Sequence, residues 1–283
     1  MTMIIFLILI IFCLLCIVIE SKIIKIRYEN IPVNNNSDNL KILHISDIHH
    51  RTFGKCNSRI VEKTKKISPD IIVITGDLIS RNMKKYYNTG VFLKNLRKIA
   101  PVYLSLGNHE LDLPPNLRNK LFKIINKSGV RILKNETVKI KKNNFTTYIS
   151  GITLDIECYK SKDKKRKYKN LKQYTEKDLY NAIGNKKGYT ILLAHNPLFF
   201  EEYAKWGADL VLSGHVHGGI IRLPIIGGIL SPERKLLPKY SKGLYKKGNT
   251  IMNVSGGLGK LRLWNPPELI ILILGLSAKL KPA

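Results

Sequence analysis

Five short apolar runs in this chain each stop on a side chain able to bind a metal. Residues 41–46 run into Asp47 and His49. Residues 71–75 run into Gly76 and Asp77, and residues 102–106 into Gly107, Asn108, His109 and Glu110. Residues 189–194 stop at His195, and residues 210–212 lead through Ser213 and Gly214 to His215 and His217. Runs of this length and composition predict buried, mostly parallel strands. Helical apolar spacing lies between the first three, at 57–67 (Ile60, Val61, Ile67) and around 91–99. Strand, helix, strand, helix, strand is the order of a layered α/β fold. In such sheets ligands bind outside the carboxyl ends of the strands. Packing alone does not put a metal-competent group at every one of those ends.

His215 and His217 are two residues apart. On an extended backbone they point the same way, and the neighbouring glycines let the chain crowd in around them. A polar surface turn would use the same residues, so the pair gains meaning from the four upstream segments.

The rest of the chain predicts helices at 115–127 and 175–183. It predicts strands at 131–133, 138–142 and 145–151, read as antiparallel, and late strands at 250–254 and 268–274. Between 197 and 250, a Gly/Pro-rich loop is expected to extend through Leu244. Residues 159–172 form a basic, polar insertion. A solvated loop is the preferred reading of such a charge run, over a phosphate or membrane contact.

Residues 3–19 are apolar and uncharged. As a helix they would measure about 26 Å, near the lower limit for crossing a bilayer. They lack the basic flank and small-x-small site of a cleaved signal. The expectation is a single-pass membrane anchor over 1–21, a linker over 22–40 and one globular domain over 41–283. Lys22, Lys25 and Arg27 follow the apolar segment, which places that domain on the cytoplasmic side by the positive-inside rule.

Charge and cysteines bound the function. The 283 residues carry 48 Lys+Arg against 20 Asp+Glu, a net +28. Such a field attracts anionic membranes, polyanions or phosphate-bearing substrates. The basic residues are spread along the chain, so nucleic acid is not the expected partner. Four cysteines with no Cys-x-x-Cys pair near histidines exclude a disulfide framework and a zinc ribbon.

Taken in order, Asp47-x-His49, Gly76-Asp77, Gly107-Asn108-His109-Glu110, His195 and Gly214-His215-x-His217 resemble the calcineurin-like metallophosphoesterases. The resemblance covers the chain from about residue 41 onward. The apolar N-terminus and the stretches 217–224 and 238–245 resemble the membrane-anchored bacterial branch, from which Ile220 departs. The resemblance implies a four-layer sandwich of two mixed β-sheets flanked by helices. It implies one metal held by Asp47, His49, Asp77 and His217, and a second by Asp77, Asn108, His195 and His215. Asp77 would bridge, its two oxygens sufficing for both ions. Mixed imidazole, carboxylate and amide donors suit Mn, Fe or Zn. Two divalent ions less two carboxylates leave a net double positive charge for a phosphate ester. The implied reaction is hydrolysis of a phosphomonoester, phosphodiester or pyrophosphate by a hydroxide bridging the metals, with His109 as general acid. Glu110 is expected to orient a histidine. His50 and Arg222 are candidate substrate contacts, and His44 is read as core. Two other readings fit: a non-catalytic scaffold that kept the fold, or a basic binder of anionic lipid or nucleic acid. The scaffold is disfavoured because none of the seven ligand positions, nor His109, is missing.

Overall fold

The computed structural model of the protein describes residues 2–33, 39–161, 163, 168–223, 226–231, 235–260 and 263–275. The first half runs α1 (Thr2–Lys22), β1 (Lys25–Pro32), β2 (Leu40–Ile45), α2 (Ser58–Ile67), β3 (Ile71–Thr75) and α3 (Tyr87–Arg97). It continues with β4 (Val102–Ser105), α4 (Asn108–Leu111), α5 (Pro115–Lys127), β5 (Arg131–Ile132), β6 (Glu136–Lys142) and β7 (Phe145–Gly151). The second half adds α6 (Glu176–Ile183), β8 (Thr190–Leu193), α7 (Phe200–Trp206), β9 (Leu210–Ser213), β10 (Arg222–Leu223) and β11 (Gly227–Gly228). It closes with β12 (Gly243–Lys247), β13 (Thr250–Val254) and β14 (Glu268–Gly275).

Among the described residues these strands form two six-stranded sheets, β1-β14-β2-β3-β4-β5 and β12-β13-β9-β8-β7-β6, with β10 and β11 as a small ribbon. Both sheets are mixed. β2 to β5 run parallel and β14 joins β2 antiparallel. β7, β8, β9 and β13 run parallel between antiparallel β6 and β12. Alternation along each strand sorts side chains into layers. Ile72 and Ile74 of β3 pack with Phe92 of α3 and Leu121 of α5. Ile71 and Val73 face the other sheet and meet Ile149, Ile191 and Leu210. Leu192, Val211 and Met252 on the far face cover Leu179 of α6 and Phe200 of α7. The result is helix, sheet, sheet, helix, as expected.

Several boundaries differ from expectation. The stretch expected as a linker contains β1, which pairs in parallel with β14, so the globular unit starts before residue 41. Residues 34–38 of that stretch lie outside the described residues. Ile24 and Ile31 are buried, and Arg27 reaches Asn253 and Glu268. An edge strand alternating with Lys25, Arg27 and Glu29 and ending in Pro32 looks like a linker because its polar face is what the sequence displays. β5 pairs with β4 in parallel rather than antiparallel. The loop expected through Leu244 ends earlier, since β12 begins at Gly243.

The expected membrane-spanning helix is not found: among the described residues no helix is long and apolar enough to cross a membrane. α1 is helical. Ile4 and Phe6 there are 62% and 66% exposed.

His44 of β2 links the two sheets from within the core. Asn253 of β13 donates its amide to Nδ1 at 3.1 Å, and Nε2 lies 2.7 Å from the Thr75 hydroxyl. With Nδ1 accepting, the proton of a neutral ring sits on Nε2. Burial, and then the Arg27 charge, push this imidazole down to about 3. A histidine in the unfolded chain titrates near 6.5. As pH falls, the unfolded chain binds the proton first, so this stability is intact above about 6.5 and drains between 6.5 and 3. Thermal unfolding is expected to occur at lower temperature as pH drops from 7 to 4. His44→Gln should flatten that dependence by at most one proton, about 1.4 kcal/mol per pH unit. Parallel pH profiles for the two proteins would show that His44 is not held neutral.

Candidate metal centre

Each ligand candidate lies just beyond the carboxyl end of a strand. Asp47 and His49 follow β2, Asp77 follows β3, and Asn108 opens α4 after β4. His195 follows β8, and His215 and His217 follow β9. The two sheets bring these ends together. Asp47, His49, Asp77 and His217 offer ligand atoms that all lie within 4.8 Å of one another, and so do Asp77, His195 and His215. Asn108 joins the second group, its Oδ1 lying 3.2 Å from His195 Nε2. Asp77 belongs to both.

The carboxylates are aimed by hydrogen bonds. Asp77 Oδ1 accepts the His109 N–H at 2.8 Å. Oδ2 is left facing the centre, 3.3 Å from His195 Nε2 and 3.9 Å from Nε2 of both His49 and His109. A single oxygen thus faces both donor groups. Asp47 accepts from the Ser46 hydroxyl at 2.7 Å and from the His215 N–H at 3.1 Å. His195 Nδ1 donates to the Thr75 carbonyl at 2.6 Å, which turns Nε2 toward the ligands. Nε2 of His49 and His217 face each other at 3.2 Å on rings stacked 4.9 Å apart.

The backbone bends to achieve this. Asp47, His49, Asp77, His215 and His217 all have positive φ, from 50° to 70°. For residues other than glycine this costs on the order of 1 kcal/mol each. A Cβ on Gly107 would lie 2.3 Å from Asp77 Oδ1, and one on Gly214 2.3 Å from Asp47 Oδ2. Only glycine lets the chain approach so closely.

Electrostatics show what the site wants. Burial pulls the Asp77 carboxyl upward, yet His195, then His109 and His49, hold it well below the usual range. Burial opposes charge on His195, but Asp77 and then Asp47 raise it to about 9. Two buried carboxylates therefore draw positive charge onto His195. Converging lone pairs, two carboxylates, four imidazoles and one amide fit divalent cations of the transition series. His49 and His217 make the point most directly, since at most one of their facing nitrogens can donate to the other.

His109 plays a different part. The Arg81 N–H donates to its Nδ1 at 3.1 Å, which leaves the ring proton on Nε2, toward Asp77. Burial, reinforced by His49 and Arg81 and opposed by Asp77, pushes this imidazole down to about 3. It is a neutral N–H donor at ordinary pH. Glu110 does not orient a histidine, as had been expected. Its carboxylate accepts backbone N–H groups of Asp77 at 2.9 Å, Ile79 at 3.1 Å and Gly107 at 2.8 Å. Burial and then the Asp77 charge push it up to about 7.

His50 and Arg222 are not brought to the centre. His50 is exposed and bonded to the Ser80 hydroxyl. Arg222 donates to the Gly218 carbonyl at 3.3 Å and to the Ser241 hydroxyl at 3.4 Å, holding the turn after His217. A cavity of about 110 Å³ opens over the second donor group, with Asn108, His109, Tyr159, Lys160 and His215 in its wall. Arg81 also lines it, and Asp112 binds both Arg81, at 2.6 Å, and Lys160. Tyr159, Lys160 and Tyr168 belong to the basic insertion expected to be a solvated loop; residues 162 and 164–167 of it lie outside the described residues. Two aromatic residues inside a charge run were the available signal. Asn265, also unforeseen, donates to the carbonyls of His217 and Gly219 at 2.6 and 2.9 Å.

Residues 40–219 match the family described as calcineurin-like phosphoesterase. The chain is 30% identical over 259 residues to an uncharacterized metallophosphoesterase of Aquifex aeolicus, covering 87% of this chain and 88% of that one. It is 28% identical over 236 residues to the metallophosphoesterase YkoQ of Bacillus subtilis, covering 81% of each. It is 26% identical over 253 residues to the phosphodiesterase YaeI of Escherichia coli, covering 87% and 86%. The protein belongs to the calcineurin-like phosphoesterase family and is a metal-dependent phosphoesterase.

Proposed function

We propose that the protein is a phosphohydrolase working through two divalent cations. Asp47, His49, Asp77 and His217 would hold one, and Asp77, Asn108, His195 and His215 the other. The observation that supports this reading is the pair of converging donor groups sharing Asp77. Bound there, the cations would concentrate positive charge against a phosphoryl group and acidify water at neutral pH. Manganese, iron and zinc all suit the donors. The rest falls to the protein. His109 presents its Nε2 proton toward the same space as Asp77 Oδ2. Its depressed pKa favours steady hydrogen bonding to an equatorial or leaving oxygen over full ionisation to imidazolium. Arg81 and Lys160 at the cavity edge, less Asp112, add one net positive charge for an anionic substrate. The name of the Escherichia coli relative supports diesters alongside monoesters as substrates. The exposed apolar surface of α1 supports attachment of the protein to a membrane, with the catalytic unit beside it.

Hydrolysis of 4-nitrophenyl phosphate or its bis ester is expected once Mn²⁺ is supplied and is expected to stop in excess chelator. Asp77→Asn should lower kcat/KM on the order of 10³-fold, since each cation supplies several kcal/mol of transition-state stabilisation. Unchanged turnover in that variant would end the two-cation reading. His109→Ala should lower kcat by about 10²- to 10⁴-fold with bound metal, measured by elemental analysis, at the wild-type level. Loss of metal alongside activity would make His109 a ligand instead. On fractionation, full-length protein is expected with membranes and released by detergent; recovery in the supernatant without detergent would exclude attachment through α1.

A further inference from the structure

Tyr159 is buried against the candidate metal centre with an unused hydroxyl. The residue is 3% exposed. Its ring meets that of His215 edge-on at 5.0 Å between centroids and lies 5.9 Å from that of His195. It lines the same cavity as Asp77, Asn108 and His109. Among the described residues its hydroxyl has no hydrogen-bond partner. Two other buried phenols are satisfied: Tyr203 donates to the Asn196 carbonyl and Tyr86 to the Met83 carbonyl, both at 2.8 Å. A buried unpaired hydroxyl is destabilising, and its persistence asks for a reason. The cavity beside it is walled by Asp77, Asn108, His109 and His215 on one part and by Arg81 and Lys160 on another. Because Tyr159 lines this cavity, a ligand bound there is placed to supply the acceptor.

We propose that the Tyr159 hydroxyl is a substrate-binding donor, reserved for a non-bridging oxygen of the phosphoryl group. A phosphoryl oxygen offers only lone pairs, and a phenol offers the proton they need. The bond would be charge-assisted and so stronger than one between neutral groups. Lys160 and Arg81, both tied to Asp112, stand beside it as the cationic edge of the same site. The segment from Ile156 to Lys160 thus acts as the part of the cavity wall that recognises phosphate. The proposal rests on the phosphohydrolase reading above.

The test is Tyr159→Phe in the full chain, which removes one oxygen and keeps the ring. Three quantities are compared with wild type in the presence of Mn²⁺: Tm, the Kd of inorganic phosphate by calorimetry, and kcat/KM for 4-nitrophenyl phosphate. Loss of a hydrogen bond to a charged partner predicts phosphate binding and kcat/KM each weaker by about 10- to 100-fold. Tm should be unchanged or higher, because an unsatisfied buried hydroxyl has been removed. An unchanged phosphate Kd would overturn the proposal. So would a Tm lowered by several degrees, or failure of the variant to fold, since either makes the hydroxyl structural. Wild-type protein that retains metal yet neither binds phosphate nor hydrolyses the ester would overturn the phosphohydrolase reading itself.

Discussion

Glu110 holds the centre together without facing the ligands' donor atoms. Its buried carboxylate accepts the N–H groups of Asp77, Ile79 and Gly107. Those amides belong to two loops, one leaving β3 and one leaving β4. The same carboxylate, at the third position of α4, reaches back to the residue that precedes that helix. A single four-residue turn of helix has little stability of its own. Anchored this way, α4 puts the His109 N–H on Asp77 Oδ1. That bond in turn leaves Oδ2 for both donor groups. Burying a carboxyl is unfavourable, and burial with the nearby Asp77 charge pushes this one up to about 7. Three N–H bonds offset enough of it to keep the group in place.

Strain of another kind is distributed over the ligands. Five of them adopt left-handed backbone conformations, which cluster at functional sites because the surroundings over-determine them. The surroundings here are strands. Every residue of β3, β8 and β9 is buried, so the loops that follow these three strands start from a base that resists shifting to relieve the bend. The approach of Gly214 to Asp47 and of Gly107 to Asp77 then fixes the carboxylates from behind. A rigid base, a bent loop and a glycine backing together place side chains from two sheets within 4.8 Å of one another.

This division explains what could be read from the residues alone. β3, β7, α5 and β13 were legible to the residue because burial writes itself as uninterrupted apolar runs or regular spacing. The candidate metal-binding residues stood out because Asp, His and Asn at strand ends have few other uses in that pattern, and the fold brings them together. β1 and β12 were not, since edge strands expose half their residues and leave no continuous apolar run. Glu110 was noticed and misassigned: its partners are backbone amides, which every sequence contains. The left-handed ligands were hidden for the same reason, because φ leaves no mark on an Asp or a His. Arg81, Asp112, Tyr159 and Asn265 reach the site only through tertiary placement.

Net charge, the most conspicuous compositional feature, turns out to act weakly at the site. Four cations near the buried regions are already paired. Arg81 and Lys160 share Asp112, and Arg27 and Lys242 share Glu268. Charges beyond about 8–10 Å are screened at physiological salt. The lysines of α3 and α5, which carry no acidic residue at all, can therefore speed the arrival of an anion without choosing it. Choice belongs to groups that touch the ligand. In the cavity these are imidazole edges, the His109 N–H, the Tyr159 hydroxyl and a local surplus of one positive charge. A set built of directional donors discriminates by the position of oxygen atoms, and it would do so equally well in a protein with no net charge.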